Sequence, residues 1–170
     1  KDNSIKAFYN TCMHRGAPVV RDKQGSTKLL RCQYHSWAYD LSGNLIKVPD
    51  MRDFKDFDIS CKGLKKVYCD IWDGWVYISL SKTDPGSLID FLNPVAQELE
   101  CFNSSELITV YKKTVTVKAN WKTCLDAFME VYHAPTIHKD TVNILLDGNA
   151  MVAGLLKNGH SRMVTPKKMN

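Results

Sequence analysis

The chain has 170 residues, 44% hydrophobic and 24% charged, the balance of a globular protein rather than a disordered one. No run approaches the roughly 18 consecutive apolar residues of a membrane-spanning helix, which excludes an integral helical membrane protein. The net charge of +5 is scattered, with lysine doublets at Lys65-Lys66, Lys112-Lys113 and Lys167-Lys168 but no basic block with interleaved aromatics, so nucleic-acid binding is not supported.

The length fits one domain or slightly more. The chain opens at Lys1 without an initiator Met or a signal-peptide pattern, so a piece of a longer polypeptide is expected. Residues 1–10 alternate apolar and polar at Ile5, Ala7 and Tyr9 and are predicted as a strand. Val19-Val20 and Leu29-Leu30 flank a Gly25-containing turn and predict a hairpin. Residues 40–44 predict a tight turn and 45–48 a short strand, followed by a polar, irregular excursion over 51–66. Two further strands, 67–70 and 75–80, are joined by Asp73-Gly74. Residues 1–82 therefore predict a small all-β domain.

Composition changes after residues 81–83. Asp84-Pro85 is a helix-start signal, and Leu88, Leu92, Val95 and Leu99 follow at helical spacing, with Pro94 placed to divide the segment. Residues 107–117, rich in Thr, Val and Tyr, predict a strand. Trp121, Leu125, Phe128, Met129 and Tyr132 form a helical stripe over 121–133. A domain boundary falls near residues 100–106.

Six cysteines are present, and two stand apart. Cys12 precedes His14 by two residues, and Cys32 precedes His35 by three, with seventeen residues between the pairs. Two loops of this kind could offer two sulfurs and two nitrogens to a closed zinc site or to a [2Fe–2S] cluster of Rieske type. The order Cys-His then Cys-His suits a mixed-ligand cluster at two hairpin tips better than a common zinc finger. Cys61, Cys69, Cys101 and Cys124 lack a histidine at ligand spacing and are expected as buried free thiols of a reducing compartment.

Residues 12–18 and 32–49 (CQYHSWAYDLSGNLIKVP) resemble the cluster-binding loops of the Rieske non-haem iron oxygenases, with Ser36 where the family often has Gly. The resemblance implies that Cys12 and Cys32 hold one iron and His14 and His35 the other.

His133 and His138 are five residues apart, a poor spacing on one helix face, so they converge only if the helix ends or bends at Pro135. Two histidines at such a bend suggest two vertices of a 2-His-1-carboxylate Fe(II) site. Residues 120–138 (NWKTCLDAFMEVYHAPTIH) resemble the mononuclear-iron motif of the same oxygenase family and follow the cluster motif in the family's order. This implies that His133 and His138 bind the catalytic iron. It also implies that Glu130, where the family usually has Asp, links the iron site to a cluster histidine of a neighbouring subunit. Asp126, one turn earlier, is a candidate for supporting the iron-ligand helix through a hydrogen bond. The third, carboxylate ligand lies far downstream in the family. Only Asp140 and Asp147 follow His138 here, and both come too early, so the ligand is expected outside this chain. His160 is expected to be a surface or packing residue.

The fold class implied is α+β: an all-β Rieske domain over 1–105 lacking its first strands, then over 106–170 the opening of a helix-grip-like catalytic domain. The activity implied is that of a terminal oxygenase, in which the cluster delivers electrons to Fe(II) for O₂-dependent hydroxylation or demethylation of a small organic substrate. The electrons would come from a ferredoxin or a flavin reductase, ultimately from NAD(P)H. A cytoplasmic homotrimer, with or without a beta subunit, is the assembly implied. Two rivals are a Rieske-type ferredoxin, which leaves residues 120–138 unexplained, and a zinc-stabilised interaction module.

Overall fold

The computed structural model describes residues 4–169. Its first elements are the short strands β1 (Ala7–Phe8), β2 (Leu30–Arg31), β3 (Ala38–Tyr39) and β4 (Leu45–Lys47). The longer β5 (Lys66–Trp72) and β6 (Trp75–Ser79) follow. Two antiparallel sheets result, in the orders β1-β5-β6 and β2-β3-β4. Asp73 and Gly74 both have positive φ (46° and 81°), the backbone that a two-residue hairpin turn between right-twisted strands requires.

The second half contains α1 (Leu88–Leu92), α2 (Val95–Leu99), α3 (Trp121–Asp126), α4 (Ala134–Ile137) and α5 (Val142–Leu145). A hairpin of β7 (Val152–Leu155) and β8 (Ser161–Val164) follows. By its internal contacts the chain divides into two units, Lys1–Gly86 and Ser87–Asn170. Strands and 3₁₀ turns make up the first unit, and helices with one hairpin make up the second, an α+β composition.

Several local expectations are corrected. The first strand is confined to β1, and residues 1–3 of the predicted span lie outside the described residues. Val19-Val20 and Leu29-Leu30 do not form a hairpin, because β2 pairs with β3 instead. The Asn10 side chain takes the place of a partner strand: its Oδ1 accepts the N–H groups of Val19 and Val20, both at 2.9 Å. Asp84 does not cap α1. It closes a turn onto the Gly86 N–H (2.9 Å), and Ser87 is the residue whose hydroxyl accepts the Asp90 N–H. Pro94 does separate α1 from α2.

Residues 107–117 form no strand with any of the described residues. Their alternating side chains stand in solvent, with Val110 88% exposed, so the β-type pattern lacks a ladder partner here. The helix expected over 121–133 ends at Asp126. Asn120 caps its start by accepting the Lys122 N–H (2.9 Å), and the chain then turns before α4.

The first unit has one continuous core of Cys12, Val19, Cys32, Trp37, Tyr39, Leu45, Val48 and Leu64, onto which Phe8, Met13, Leu30 and Phe57 pack. Both loop cysteines belong to this core. Their turns are twins. Cys12 N–H donates to Ala17 C=O (2.8 Å) and accepts at its own C=O from Gly16 N–H (2.9 Å). Cys32 N–H donates to Trp37 C=O (2.9 Å) and its C=O accepts from Ser36 N–H (3.0 Å). The fourth residue after each cysteine is left-handed, Gly16 at φ 74° and Ser36 at φ 59°. After the second loop, Asp40 Oδ1 accepts the N–H groups of Ser42 (2.8 Å) and Asn44 (2.9 Å), which folds β3 back onto β4.

These turns make two predictions. Gly16→Ala meets open space, with Thr11 Cγ2 at 4.0 Å, but must hold a left-handed backbone, so it should lower stability by about 1–2 kcal/mol. Ser36→Gly relieves the same strain while loosening the unfolded chain, so denaturant unfolding should move by less than about 0.5 kcal/mol. Equal losses at both positions would contradict the twin geometry.

Burial alone would raise the Asp40 carboxyl. The hydrogen bonds from Asn44 and Ser42 and the charge of Lys6 outweigh it and hold it below its ordinary range. A depressed folded-state value means stability that is present above the unfolded value and lost as pH falls through the folded one. Unfolding of Asp40→Asn, followed by circular dichroism, should therefore show a flatter acid limb below about pH 4 than the parent protein.

Candidate functional site

The cysteine turns set one end of the site. Cys12 and Cys32 are buried, at 3% and 1% exposure, and both are free thiols. The histidines lie nearer the surface: His14 is half-buried and His35 is exposed. Their rings meet edge to face with centroids 4.5 Å apart. Trp37 stacks on the other face of the arrangement, its ring 4.9 Å from His14 and within 10° of parallel. The ring of Tyr34 lies 3.8 Å from that of His35.

The loops thus place the two sulfurs in one core and bring the two imidazoles together nearer the surface. His14 Nδ1 is buried yet has no hydrogen-bond partner. An unpaired buried imidazole nitrogen costs free energy unless something else uses its lone pair. Beside two buried free thiols, a metal is the chemically matched user. Burial, the charge of His35 and that of Arg15 all hold His14 below its ordinary value, so the neutral, ligating form is favoured.

Among the described residues, no three His, Cys, Asp or Glu groups gather as they must around one ion. A tetrahedral zinc ion needs its ligands about 2.0–2.3 Å from a single point, whereas a Rieske cluster takes two cysteines on one iron and two histidines on the other. The donor set fits the two-iron group.

Tyr39 is the residue that the motif reading passed over. It lies in β3, wholly buried, with its hydroxyl 3.3 Å from Cys12 Sγ and accepting the Met13 N–H at 3.1 Å. Burial, more than its bond to Cys12, pushes the phenol above its ordinary range, so it keeps its proton. The aromatic run after His35 was the available signal, but only the fold brings Tyr39 to a sulfur 27 positions earlier.

The second histidine pair brackets α4. His133 caps its start, Pro135 occupies its first turn and His138 ends it. The rings come to 5.2 Å between centroids, brought together across the single turn of α4 rather than by a bend of the 121–133 helix at Pro135. Glu130 grips His133 twice: its carboxylate accepts the His133 N–H at 3.2 Å and pairs with the ring Nδ1. This contact does not arise from a helical turn, because residues 127–133 are not helical.

The bond to His133 is the main reason the Glu130 carboxyl is held below its usual range. A carboxylate on Nδ1 leaves Nε2 as the free ring nitrogen, the arrangement common for metal-ligating histidines. His133, held in this way, and His138 beside it fit an iron site as two of its ligands. Asp126 is exposed and its carboxylate bonds to none of the described residues. Asp147 is occupied in accepting the Asn149 N–H at 3.0 Å.

The remaining cysteines are free but none is buried; Cys61 and Cys101 are exposed, and Cys61 donates to Asp58 at 3.0 Å. His160 is a packing residue, its Nε2 2.7 Å from the Phe91 carbonyl, where Asn158 also donates. Among the described residues, no helix is long and apolar enough to cross a membrane.

Residues 1–61 match the family model of the Rieske [2Fe-2S] domain, and residues 104–169 match that of the ring hydroxylating alpha subunit (catalytic domain). The chain is 30% identical over 146 residues to the glycine betaine monooxygenase oxygenase subunit of Pseudomonas aeruginosa, covering 86% of this chain and 34% of that relative. It is 36% identical over 165 residues to the large oxygenase component of the 2,4-dinitrotoluene dioxygenase system of a Burkholderia species, covering 92% and 36%. The solved quaternary ammonium Rieske monooxygenase CntA, in complex with its substrate L-carnitine, superposes with a TM-score of 0.76 at 25% identity, covering 84% of this chain and 41% of that one.

The chain spans about a third of the length of the curated relatives it matches. The match over 104–169 gives the second half a role that a lone electron carrier does not have. The two domains imply a [2Fe–2S] cluster and a mononuclear Fe(II). In sequence and in fold, the chain belongs to the family of Rieske oxygenase large (alpha) subunits.

Proposed function

We propose that the chain serves in a terminal oxygenase in which Cys12 and Cys32 hold one iron of the cluster, His14 and His35 the other, and His133 and His138 bind the mononuclear Fe(II). The observation that carries this reading is the orphaned, buried His14 Nδ1 beside two buried thiols. When bound, the cluster supplies one-electron transfer, and the mononuclear iron supplies open positions for O₂ and substrate.

The chain's own residues do the holding and orienting. Core packing around Cys12 and Cys32 keeps water from their sulfurs, while exposed His35 and half-buried His14 leave the imidazole side accessible to an electron donor. Trp37 fixes the plane of the His14 ring. Glu130 fixes the His133 tautomer and, in this proposal, also forms the link to a cluster histidine of a neighbouring subunit. Its exposure, with 41% of the side chain accessible, supports that second contact. The third iron ligand is a carboxylate outside this chain.

The domain division at 1–105 and 106–170 belongs to the same proposal; the matched spans leave residues 62–103 to neither family model. So do the partners: a ferredoxin or flavin reductase, a trimer with or without a beta subunit, O₂, and a small organic substrate that is hydroxylated or demethylated. Relatives named for glycine betaine and for dinitrotoluene support an organic substrate and leave its class open. Six free cysteines support a reducing, cytoplasmic setting.

Iron-replete protein, purified without oxygen and reduced, should give the EPR signal of a Rieske cluster, and Cys32→Ala or His35→Ala should abolish it. One bound zinc per chain and no iron would overturn the reading. Glu130→Gln should leave both metal sites loaded while slowing single-turnover oxidation in the assembled oxygenase by about 10–100-fold. Turnover at the parent rate would remove Glu130 from the link.

A further inference from the structure

The two ligand loops are closed in different ways. The second stands on a ladder, in which β2 and β3 pair Leu30 with Tyr39 and Arg31 with Ala38. The first has a ladder on its entering side alone: β1 pairs with β5, and Tyr9 N–H extends that pairing to Lys65 C=O at 2.9 Å. Among the described residues, no backbone bond joins residues 9–11 to residues 18–21. One side chain spans that mouth instead. Asn10 Oδ1 accepts Val19 N–H and Val20 N–H, both at 2.9 Å, and Asn10 Nδ2 donates to Val20 C=O at 2.6 Å. A carboxamide carries an acceptor with two lone pairs and a donor on one planar group, so it matches two amides and a carbonyl together. A carboxylate of the same size lacks the donor.

We propose that Asn10 is the positioning residue of the first ligand loop: its carboxamide holds the Cys12–His14 turn closed and thereby sets how firmly the cluster is retained. This rests on the reading of Cys12 and His14 as cluster ligands. A two-iron group needs its four donors in place together, and a loop released at one end regains conformational entropy that binding must remove again. Val19, one of the residues that Asn10 holds, is buried in the same core as Cys12 and Cys32, so the closure reaches the sulfurs through packing.

The test uses the whole iron-loaded polypeptide and reads amide hydrogen exchange, the Rieske EPR signal and the rate of cluster loss to an iron chelator. Asn10→Asp keeps the size and the acceptor, removes the donor and sets a charge against the Val20 carbonyl. It should speed exchange at Val19 and Val20 about tenfold, and cluster loss by a similar factor, with the Cys32 and Ser36 amides at the parent rate. Leu64→Val trims the same core away from both loops and controls for lost stability. For the same drop in unfolding midpoint it should lose its cluster more slowly than Asn10→Asp. If Asn10→Asp fails to load its cluster, the parent alone decides the matter: its Val19 and Val20 amides should exchange about tenfold slower than those of the exposed residues 22–26.

Unprotected Val19 and Val20 amides in the parent, cluster loss at the parent rate in loaded Asn10→Asp, or equal loss in Leu64→Val would each overturn the role of Asn10 and leave the ligand set standing. A parent protein without any Rieske signal would overturn both.

Discussion

Two thiols buried in one small apolar core are the constraint on which the first unit depends. A core of eight residues that includes two cysteines has little else to spend its interior on. Their positions follow from backbone bonds rather than from the side chains themselves, since each cysteine closes its own turn through its N–H and C=O. Trp37 and Tyr39 then fill the space behind the loops, so the packing that stabilises the sheet also shapes the donor set. Fold stability and site geometry are here one set of contacts.

The second unit works differently. Its histidines are positioned by a single short turn with a proline, and by the Glu130 carboxylate reaching forward three residues. Longer-range ties come from the hairpin that follows: Asn158 and His160 converge on the Phe91 carbonyl, and Arg162 pairs with Glu98. Many of its apolar side chains have no cover among the described residues; Tyr132 is 94% exposed. The pattern that reads as a buried stripe in sequence is therefore present without its burial.

That contrast explains where sequence reading succeeded and where it did not. His133 and His138 do meet, but across the single turn of α4, which holds Pro135 in its first turn, where proline is tolerated, and not at a break of the preceding helix. Asp73-Gly74 foretold its hairpin. The strand over 107–117 and the unbroken helix over 121–133 failed together. Alternation and helical periodicity report which faces want partners, and whether a partner is in place is a tertiary fact. Val19-Val20 failed for a related reason: nothing local announces that the Asn10 side chain will satisfy two of their amides.

Residue spacing by itself determined the donor chemistry, two thiols and two imidazoles on two loops and a second imidazole pair about a proline, because these are properties of short chain segments. Tertiary structure alone decided that the sulfurs lie inward and the imidazoles outward, that His14 Nδ1 is left without a partner, and that a tyrosine 27 residues away turns its hydroxyl to Cys12 rather than to Cys32. Burial and long-range hydrogen bonds arise only when segments distant in the chain are packed together, and no local pattern encodes which of the two sulfurs a distant hydroxyl will approach.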